Sequence, residues 1–159
     1  MKPIEPYTPK ALLRTWGTEL FFAETSQYLG KVLTMRAGTK GGLQYHVEKD
    51  ETFHLLSGLA WVIYDHGGTE PTCCAEWDCG HETGCPMRDE IESPNPGTTL
   101  VKRKMHPGES YHIPIGAPHQ VEAITDCVLV EASTPHYDDR VRCEEAYGLV
   151  FDGGLGTTR

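Results

Sequence analysis

Between Glu19 and Ser133 the sequence consists of short stretches rich in Val, Ile, Leu, Thr, Phe and Tyr, separated by Gly, Pro or Asp. This pattern is typical of an antiparallel β-sandwich or β-barrel, so the expected fold class is all-β. No apolar pattern of helical period lasts two turns in this region, and only the tail after Pro135 is predicted to form a short C-terminal helix. The predicted strands span residues 19–24, 31–36, 43–47, 51–56, 60–65, 99–105, 110–113, 120–124 and 127–132.

The chain of 159 residues is long enough for one hydrophobic core. We expect an N-terminal arm over residues 1–18, a single domain over 19–149 and a flexible tail over 150–159. The stretch at about 66–98 is rich in Gly, Pro, Cys and acidic residues and lacks strand alternation. Because strand-like sequence resumes after it, we interpret this stretch as an insertion within the domain.

Acidic side chains outnumber basic ones by 23 to 14, which gives a formal net charge of -9. An acidic surface repels a phosphate backbone, so nucleic acid is not an expected partner. No apolar run approaches the ~20 residues of a membrane helix, and the first residues lack the apolar stretch of a signal peptide. We therefore expect no membrane partner and a cytoplasmic location, where thiols stay reduced.

Two separated segments carry a spaced set of Gly, Pro and polar residues. The first segment consists of Gly38, Gln44, His46, Glu51 and Gly58, and the second of Gly108, Pro114, Gly116 and His119. Their spacings resemble the paired motifs of the cupin superfamily, although Gln44 stands where cupins usually have a histidine. The resemblance implies a double-stranded β-helix, the antiparallel jelly-roll barrel of the cupins.

The polar residues of the two segments are suited to bind a metal ion. Gln44 and His46 are two residues apart on a predicted strand, so they project to the same face, which in a small barrel is the interior. Glu51 begins the next strand after a tight turn, and His119 follows a stiff turn rich in Pro and Gly. This ligand set suits a divalent transition metal, with zinc favoured and manganese, iron, nickel or cobalt as alternatives.

The alternative is that these four side chains satisfy one another or face solvent at an open barrel mouth. Burying such groups without partners would cost about 1 to 3 kcal/mol each, and a metal ion removes most of that penalty. The other histidines are interpreted as surface residues or as neighbours of the metal ligands; they are His54, His66, His106, His112 and His136.

A closer resemblance covers nearly all of residues 14–149 apart from the insertion. It is carried by residues 16–17, 28–31, 43–46, 111–119 and 138–148. These segments resemble the cupin domain of type II mannose-6-phosphate isomerases. The resemblance implies a metal bound by Gln44, His46, Glu51 and His119. It also implies the interconversion of an aldose and a ketose phosphate through an enediol.

Such an isomerase transfers a proton between neighbouring carbons of an open-chain sugar, which requires a base beside the metal. Glu48 and Lys49, on the turn before Glu51, are the candidate base and its helper, and a solvated, charged turn is the alternative. If Glu48 is only a turn residue, the roles fall to His54, His112 or Glu122.

A phosphate group would require cationic side chains in the pocket. Arg36, Arg142 and Lys49 are the candidate phosphate-binding residues, and Arg142 also matches the tail of the resembling family. Surface salt bridges are the competing interpretation for each of them.

The insertion contains a second possible metal site. Several thiols and one imidazole within thirteen residues are suitable for a compact structural zinc ion, but the spacing is not that of a standard zinc finger. Disulfide bonds and free thiols on a loop are the alternatives. The candidate ligands are Cys73, Cys74, Cys79, His81 and Cys85.

Two other functions fit the same residues. His46, His119 and Glu51 are the two-histidine, one-carboxylate set of iron(II) oxygenases, and a pocket of this kind can also bind a sugar without catalysis. Gln44 favours the isomerase, because an amide recurs at this position in the isomerases that the chain resembles. A strand edge left open by the barrel invites pairing, so we expect a homodimer.

Overall fold

The computed structural model describes residues 3–68, 91–151 and 155–158. In these ranges strands form two six-stranded antiparallel sheets, which confirms the predicted all-β jelly roll. In chain order the elements are β1 (Lys10–Arg14), β2 (Gly17–Glu24), β3 (Leu29–Met35), β4 (Gln44–His46), β5 (Glu51–Ser57), β6 (Ala60–Asp65), β7 (Ile91–Glu92), β8 (Leu100–Met105), β9 (Ser110–Ile113), β10 (His119–Ala123), β11 (Cys127–Ser133), β12 (Arg140–Arg142) and a 3-10 helix (Glu144–Tyr147).

Successive strands alternate between the two sheets from β3 to β6 and again from β8 to β12, whereas β6, β7 and β8 lie in the same sheet. The first sheet has the order β1-β2-β3-β11-β5-β9, and the second has the order β12-β4-β10-β6-β8-β7. Gly58 forms the corner between β5 and β6 with a φ of +82, and a Cβ atom there would lie 2.2 Å from the carbonyl oxygen of Asp126. Only glycine fits this corner, because both the backbone conformation and the close approach exclude a side chain.

The main core lies between the two sheets. Its buried side chains come from both of them and include Leu55 and Leu129 from the first sheet and Met105 and Ala123 from the second. Burial of such side chains is the main favourable contribution to the stability of a fold of this size.

The sheets extend beyond the predicted strands at both ends of the chain. β1 pairs along its whole length with β2, so strand structure begins before residue 19. The tail was predicted to form a helix, but Arg140–Arg142 pairs with β4 as β12, and only the 3-10 helix Glu144–Tyr147 follows. Pairing with β4 satisfies backbone groups that would otherwise form an open sheet edge.

The last described residues are hydrogen-bonded to β12. The backbone N–H of Thr158 donates to the carbonyl of Arg140, and the backbone N–H of Arg142 donates to the Thr157 hydroxyl. Within the described ranges no helix is long and apolar enough to span a membrane.

Candidate metal centre

Three buried side chains, His46, Glu51 and His119, converge inside the barrel and are called the triad below. His46 ends β4, Glu51 begins β5 and His119 begins β10. The Nε2 atoms of His46 and His119 lie 3.3 and 3.0 Å from Oε1 of Glu51. One ligand atom from each residue lies within 4.8 Å of the other two. The structure thus brings together three of the four predicted ligands at a spacing suited to one metal ion.

The other ring nitrogen of each histidine has a hydrogen-bond partner. Nδ1 of His46 lies 2.7 Å from Oδ1 of Asp139, and Nδ1 of His119 lies 2.9 Å from the carbonyl oxygen of Ala117. Both partners are acceptors, which assigns the proton to Nδ1 and leaves a lone pair on Nε2.

The triad atoms therefore form a cluster of acceptors without a donor between them. Neither Nε2 atom has a hydrogen-bond partner among the described residues, and both are buried. Two nitrogen lone pairs and a carboxylate oxygen repel one another at these distances unless a cation lies between them. The residues present therefore fit a divalent metal, with each histidine oriented as metal-binding imidazoles usually are.

Glu51 is ionised in this environment. Burial alone would raise its pKa, but the ammonium group of Lys49 and the imidazoles of His119 and His46 together outweigh that effect and hold the pKa of Glu51 well below its usual range. Nζ of Lys49 contacts Oε2 of Glu51, while Oε1 is the oxygen that faces the two histidines. The carboxylate is thus held with one oxygen toward the metal position.

Asp139 is the residue that orients His46, and sequence analysis did not identify it. Its side chain is buried, and Oδ2 accepts hydrogen bonds from the backbone N–H groups of Glu48 and Lys49 at 2.7 and 2.9 Å. Burial would raise the pKa of Asp139, but these two N–H groups and His46 lower it below its usual value. A charged carboxylate on Nδ1 increases the basicity of Nε2 as a ligand.

Replacing Asp139 tests this arrangement without removing a ligand. Asp139→Asn loses either the acceptor for His46 or the acceptor for the turn, because an amide has only one oxygen. We expect about 10- to 100-fold weaker metal binding, measured by competition with a chelating dye. Asp138→Asn is the matched control, because its side chain is exposed and its ion-pair partner is Arg140. Equal affinities in the two variants would contradict the role of Asp139.

Gln44, the fourth predicted ligand, lies beside the triad. It pairs with His119 across β4 and β10, and it lines the same cavity. Residues directly opposite each other in an antiparallel pair project to the same face. Metal coordination by Gln44 stays a prediction.

A row of charged side chains leads away from the triad and is called the ion-pair ladder (Arg14, Glu19, Lys31, Glu131, Lys49). All of them are buried except Arg14, which is partly exposed. Nζ of Lys49 and Nζ of Lys31 lie 3.1 and 3.0 Å from Oε1 of Glu131. Lys31 also lies 3.1 Å from Oε1 of Glu19, and Nε of Arg14 donates to Oε2 of Glu19 at 2.7 Å. Only Lys49 of this set was selected from the sequence.

The pKa values of two ladder residues, Lys49 and Glu19, are shifted toward the charged form. Burial would lower the pKa of Lys49, but the carboxylates of Glu131 and Glu51 raise it above its ordinary value. Burial would raise the pKa of Glu19, but Lys31 and Arg14 lower it. Lys49 is therefore a protonated, hydrogen-bonding cation at neutral pH.

The triad and the ladder share one cavity of about 870 Å³, a volume that includes the open space at its mouth. Met35, Phe53 and Leu129 belong both to its wall and to the main core, so the cavity rests on packed side chains. Its charged wall residues are four cations, Arg14, Lys31, Lys49 and Arg140, and three carboxylates, Glu19, Glu51 and Glu131. The cavity is thus more positive than the acidic chain as a whole.

The structure does not bring Glu48 into this cavity. β4 ends at His46, so strand alternation does not continue to Glu48. Its side chain is 43% exposed and lies 3.5 Å from Nδ1 of His136. This is the solvated position that the alternative interpretation described.

Arg36 and Arg142 are also absent from the cavity wall. Arg36 is exposed and donates to the carbonyl of Thr15. Arg142 binds Glu144 and the carbonyl of Leu155. Both guanidinium groups thus have partners within the protein, and one partner of Arg142, Leu155, itself lines the cavity.

The alternative candidates for the acid and base roles also lie outside the cavity. His54 contacts the hydroxyl of Ser110, His112 contacts Asp50 and Glu122 pairs with Lys102. The predicted zinc ligands of the insertion lie outside the described residues; they are Cys73, Cys74, Cys79, His81 and Cys85.

No protein-family model and no curated protein matches the sequence. Solved structures do match the fold. KdgF from Halomonas sp. matches at a TM-score of 0.51 and 16% identity, over 76% of this chain and 80% of that one. A sugar phosphate isomerase of the cupin superfamily from Silicibacter pomeroyi matches at 0.52 and 16%, over 80% and 71%.

A variant of oxalate decarboxylase OxdC from Bacillus subtilis matches at a TM-score of 0.56 and 13% identity. The match covers 89% of this chain but only 32% of that protein. Identities this low establish a shared fold, and the reaction has to be argued from the site itself.

Proposed function

We propose that this chain, which has the cupin fold, is a metal-dependent aldose–ketose isomerase that acts on a sugar or sugar phosphate. The observation that carries the proposal is the triad, in which two histidine Nε2 atoms and Oε1 of Glu51 face one another without a donor. The solved structure described as a sugar phosphate isomerase has a similar fold, which supports the reaction class as a proposal.

His46, Glu51 and His119 would hold the metal, with Gln44 beside them. A divalent metal supplies the Lewis acid that polarises a carbonyl group and stabilises negative charge on its oxygen. The isomerisation moves one hydrogen between neighbouring carbons and one between their oxygens, so the sugar needs no co-reactant.

Two carboxylates of the cavity, Glu19 and Glu131, lie outside the triad. Of these, Glu131 is the one that contacts Lys49, which also contacts Glu51. We assign to Glu131 the removal of the proton from one carbon and its return to the next. Lys49, which stays protonated, would donate a hydrogen bond to a substrate oxygen and hold Glu131 in place.

Substitution of Glu131 tests this assignment. Glu131→Gln keeps the shape of the side chain and removes its basicity, so we expect kcat to fall about 10²- to 10⁴-fold while metal binding persists. The assay is a screen of aldose and ketose phosphates with metal-loaded protein. Glu48→Gln is the control and should retain wild-type turnover, because Glu48 lies outside the cavity. Loss of turnover in Glu48→Gln, with turnover retained in Glu131→Gln, would identify Glu48 on the turn as the base.

The triad also favours a second candidate, an iron(II) oxygenase, because two histidines and one carboxylate are the protein ligands of such enzymes. Oxygen uptake by ferrous-loaded protein, without interconversion of any sugar, would support this candidate over the isomerase. Sugar binding without turnover by either assay would support a non-catalytic binding protein.

A further inference from the structure

We propose that Arg140 and Tyr137 form a binding site for the phosphate group of the substrate, separate from the metal ligands. This inference rests on the proposed function for the sugar part of the substrate and narrows its class to phosphorylated sugars. The phosphate site itself can be tested without turnover.

The sheet register brings Arg140 next to the triad. Arg140 is the first residue of β12 and pairs with His46 of β4. The Cβ atoms of such directly opposed residues lie about 4.5–5.5 Å apart on the same face of the sheet. The side chain of Arg140 is only 13% exposed, and it lines the cavity that contains the triad.

Arg140 differs from the other cations of the cavity in its partners. Arg14, Lys31 and Lys49 each contact a buried carboxylate of the ladder or triad. Arg140 instead donates from Nε to the carbonyl of Gly156.

The single carboxylate that Arg140 contacts among the described residues is weak compensation for its charge. Nη2 lies 3.3 Å from Asp138, whose side chain is 59% exposed. Exposed ion pairs contribute little. Glu19 acts on Arg140 at longer range, and Arg14 opposes that effect. Among the described residues no buried carboxylate is in direct contact with Arg140, so its guanidinium group can pair with an anion that enters the cavity.

Tyr137 adds a neutral donor three residues before Arg140 in the sequence. It lines the cavity, and its ring packs edge-on against Phe21 at a centroid distance of 5.5 Å. The residue is exposed. A guanidinium group pairs bidentately with phosphate oxygens, and a phenol donates to a third oxygen.

The charge of the whole cavity favours a phosphate over a carboxylate. Four cationic wall residues face three carboxylates, and a bound divalent metal would add two positive charges. A dianionic phosphate ester balances this excess better than a monoanionic carboxylate does.

The test measures binding of inorganic phosphate to metal-loaded protein by titration calorimetry. We expect Arg140→Gln to weaken phosphate binding about 10- to 100-fold and Tyr137→Phe about 2- to 10-fold. Arg36→Gln is the matched control, because Arg36 lies outside the cavity, and its affinity should stay within about twofold of wild type. Circular dichroism checks that each variant is folded.

Four other outcomes would each contradict part of the proposed site or function. Unchanged phosphate affinity in Arg140→Gln would overturn the site and leave the metal as the phosphate ligand. Acetate binding as tightly as phosphate would overturn the choice of phosphate. Loss of phosphate binding in Arg140→Gln, with no sugar phosphate isomerised by wild type, would leave the site standing and reject the isomerase. Isomerisation of a sugar phosphate with an unchanged KM in Arg140→Gln would support the isomerase and reject the phosphate site.

Discussion

Replacing either histidine of the triad, as His46→Ala or His119→Ala, is expected to remove one equivalent of bound metal per chain. Each substitution leaves one imidazole and one carboxylate from the triad, fewer than the three protein ligands usual for a catalytic zinc site. The loss of affinity should exceed the roughly 10- to 100-fold that a missing hydrogen-bonding partner costs. Metal content after dialysis, measured by elemental analysis, is the readout.

The jelly roll should survive both substitutions. Both histidines face the cavity, so truncation enlarges an existing space rather than opening a void in the main core. His112→Ala is the control, because His112 is an exposed histidine paired with Asp50. If the cysteine-rich insertion binds a second metal, the content should fall from two equivalents to one. Unchanged content in both triad variants would contradict a metal at His46 and His119.

Much of the fold was predictable because its signals are local. Every strand predicted from composition and turn residues is present, and Ala60–Asp65 and Ser110–Ile113 have the predicted ends. The triad was predictable for a related reason, since its members lie at the ends of strands whose positions the turns already fix. Period-two alternation then determines which side chains face inward.

The residues that support the triad could not be found in this way, because their partners are distant in the sequence. Asp139 is 93 residues from His46, and Glu131 is 82 residues from Lys49. Such pairs depend on which strands become neighbours. A single carboxylate in the sequence carries no signal of that neighbour, so Asp139 and Glu131 read as ordinary acidic residues.

The same long-range contact explains why the interpretation of the turn differed from the structure. Strand alternation would direct Glu48 inward if β4 continued past His46. The carboxylate of Asp139 accepts the backbone N–H groups of Glu48 and Lys49, so these groups are not available for sheet pairing. The turn therefore begins after His46, and Lys49 rather than Glu48 enters the cavity.

A substitution in the ladder is expected to have the second large effect, which is a decrease in the free energy of unfolding. Lys49→Met removes the cation shared by Glu51 and Glu131 and leaves two buried carboxylates with fewer partners. Breaking a buried ion pair from one side costs about 3–5 kcal/mol, because the remaining charge stays buried without compensation. We expect a loss of this size in the free energy of unfolding, measured by urea denaturation of metal-free protein in the presence of a chelator.

Lys10→Met is the matched control for the charge change, because Lys10 pairs with Glu24 at the surface and exposed pairs contribute about 0–1 kcal/mol. A second comparison measures the contribution of the carboxylates that have lost Lys49. In Lys49→Met, Glu131 keeps Lys31 as a partner but has lost Lys49. Adding Glu131→Gln removes one of the two carboxylates that lost Lys49, so the double variant should cost about 0.5–3 kcal/mol less than the sum of the single variants. Strictly additive effects, or a Lys49→Met cost no larger than that of Lys10→Met, would contradict a coupled ladder.

Binding of a divalent metal to Glu51 would partly replace the missing cation. The cost of Lys49→Met should therefore be smaller in metal-loaded protein than in metal-free protein.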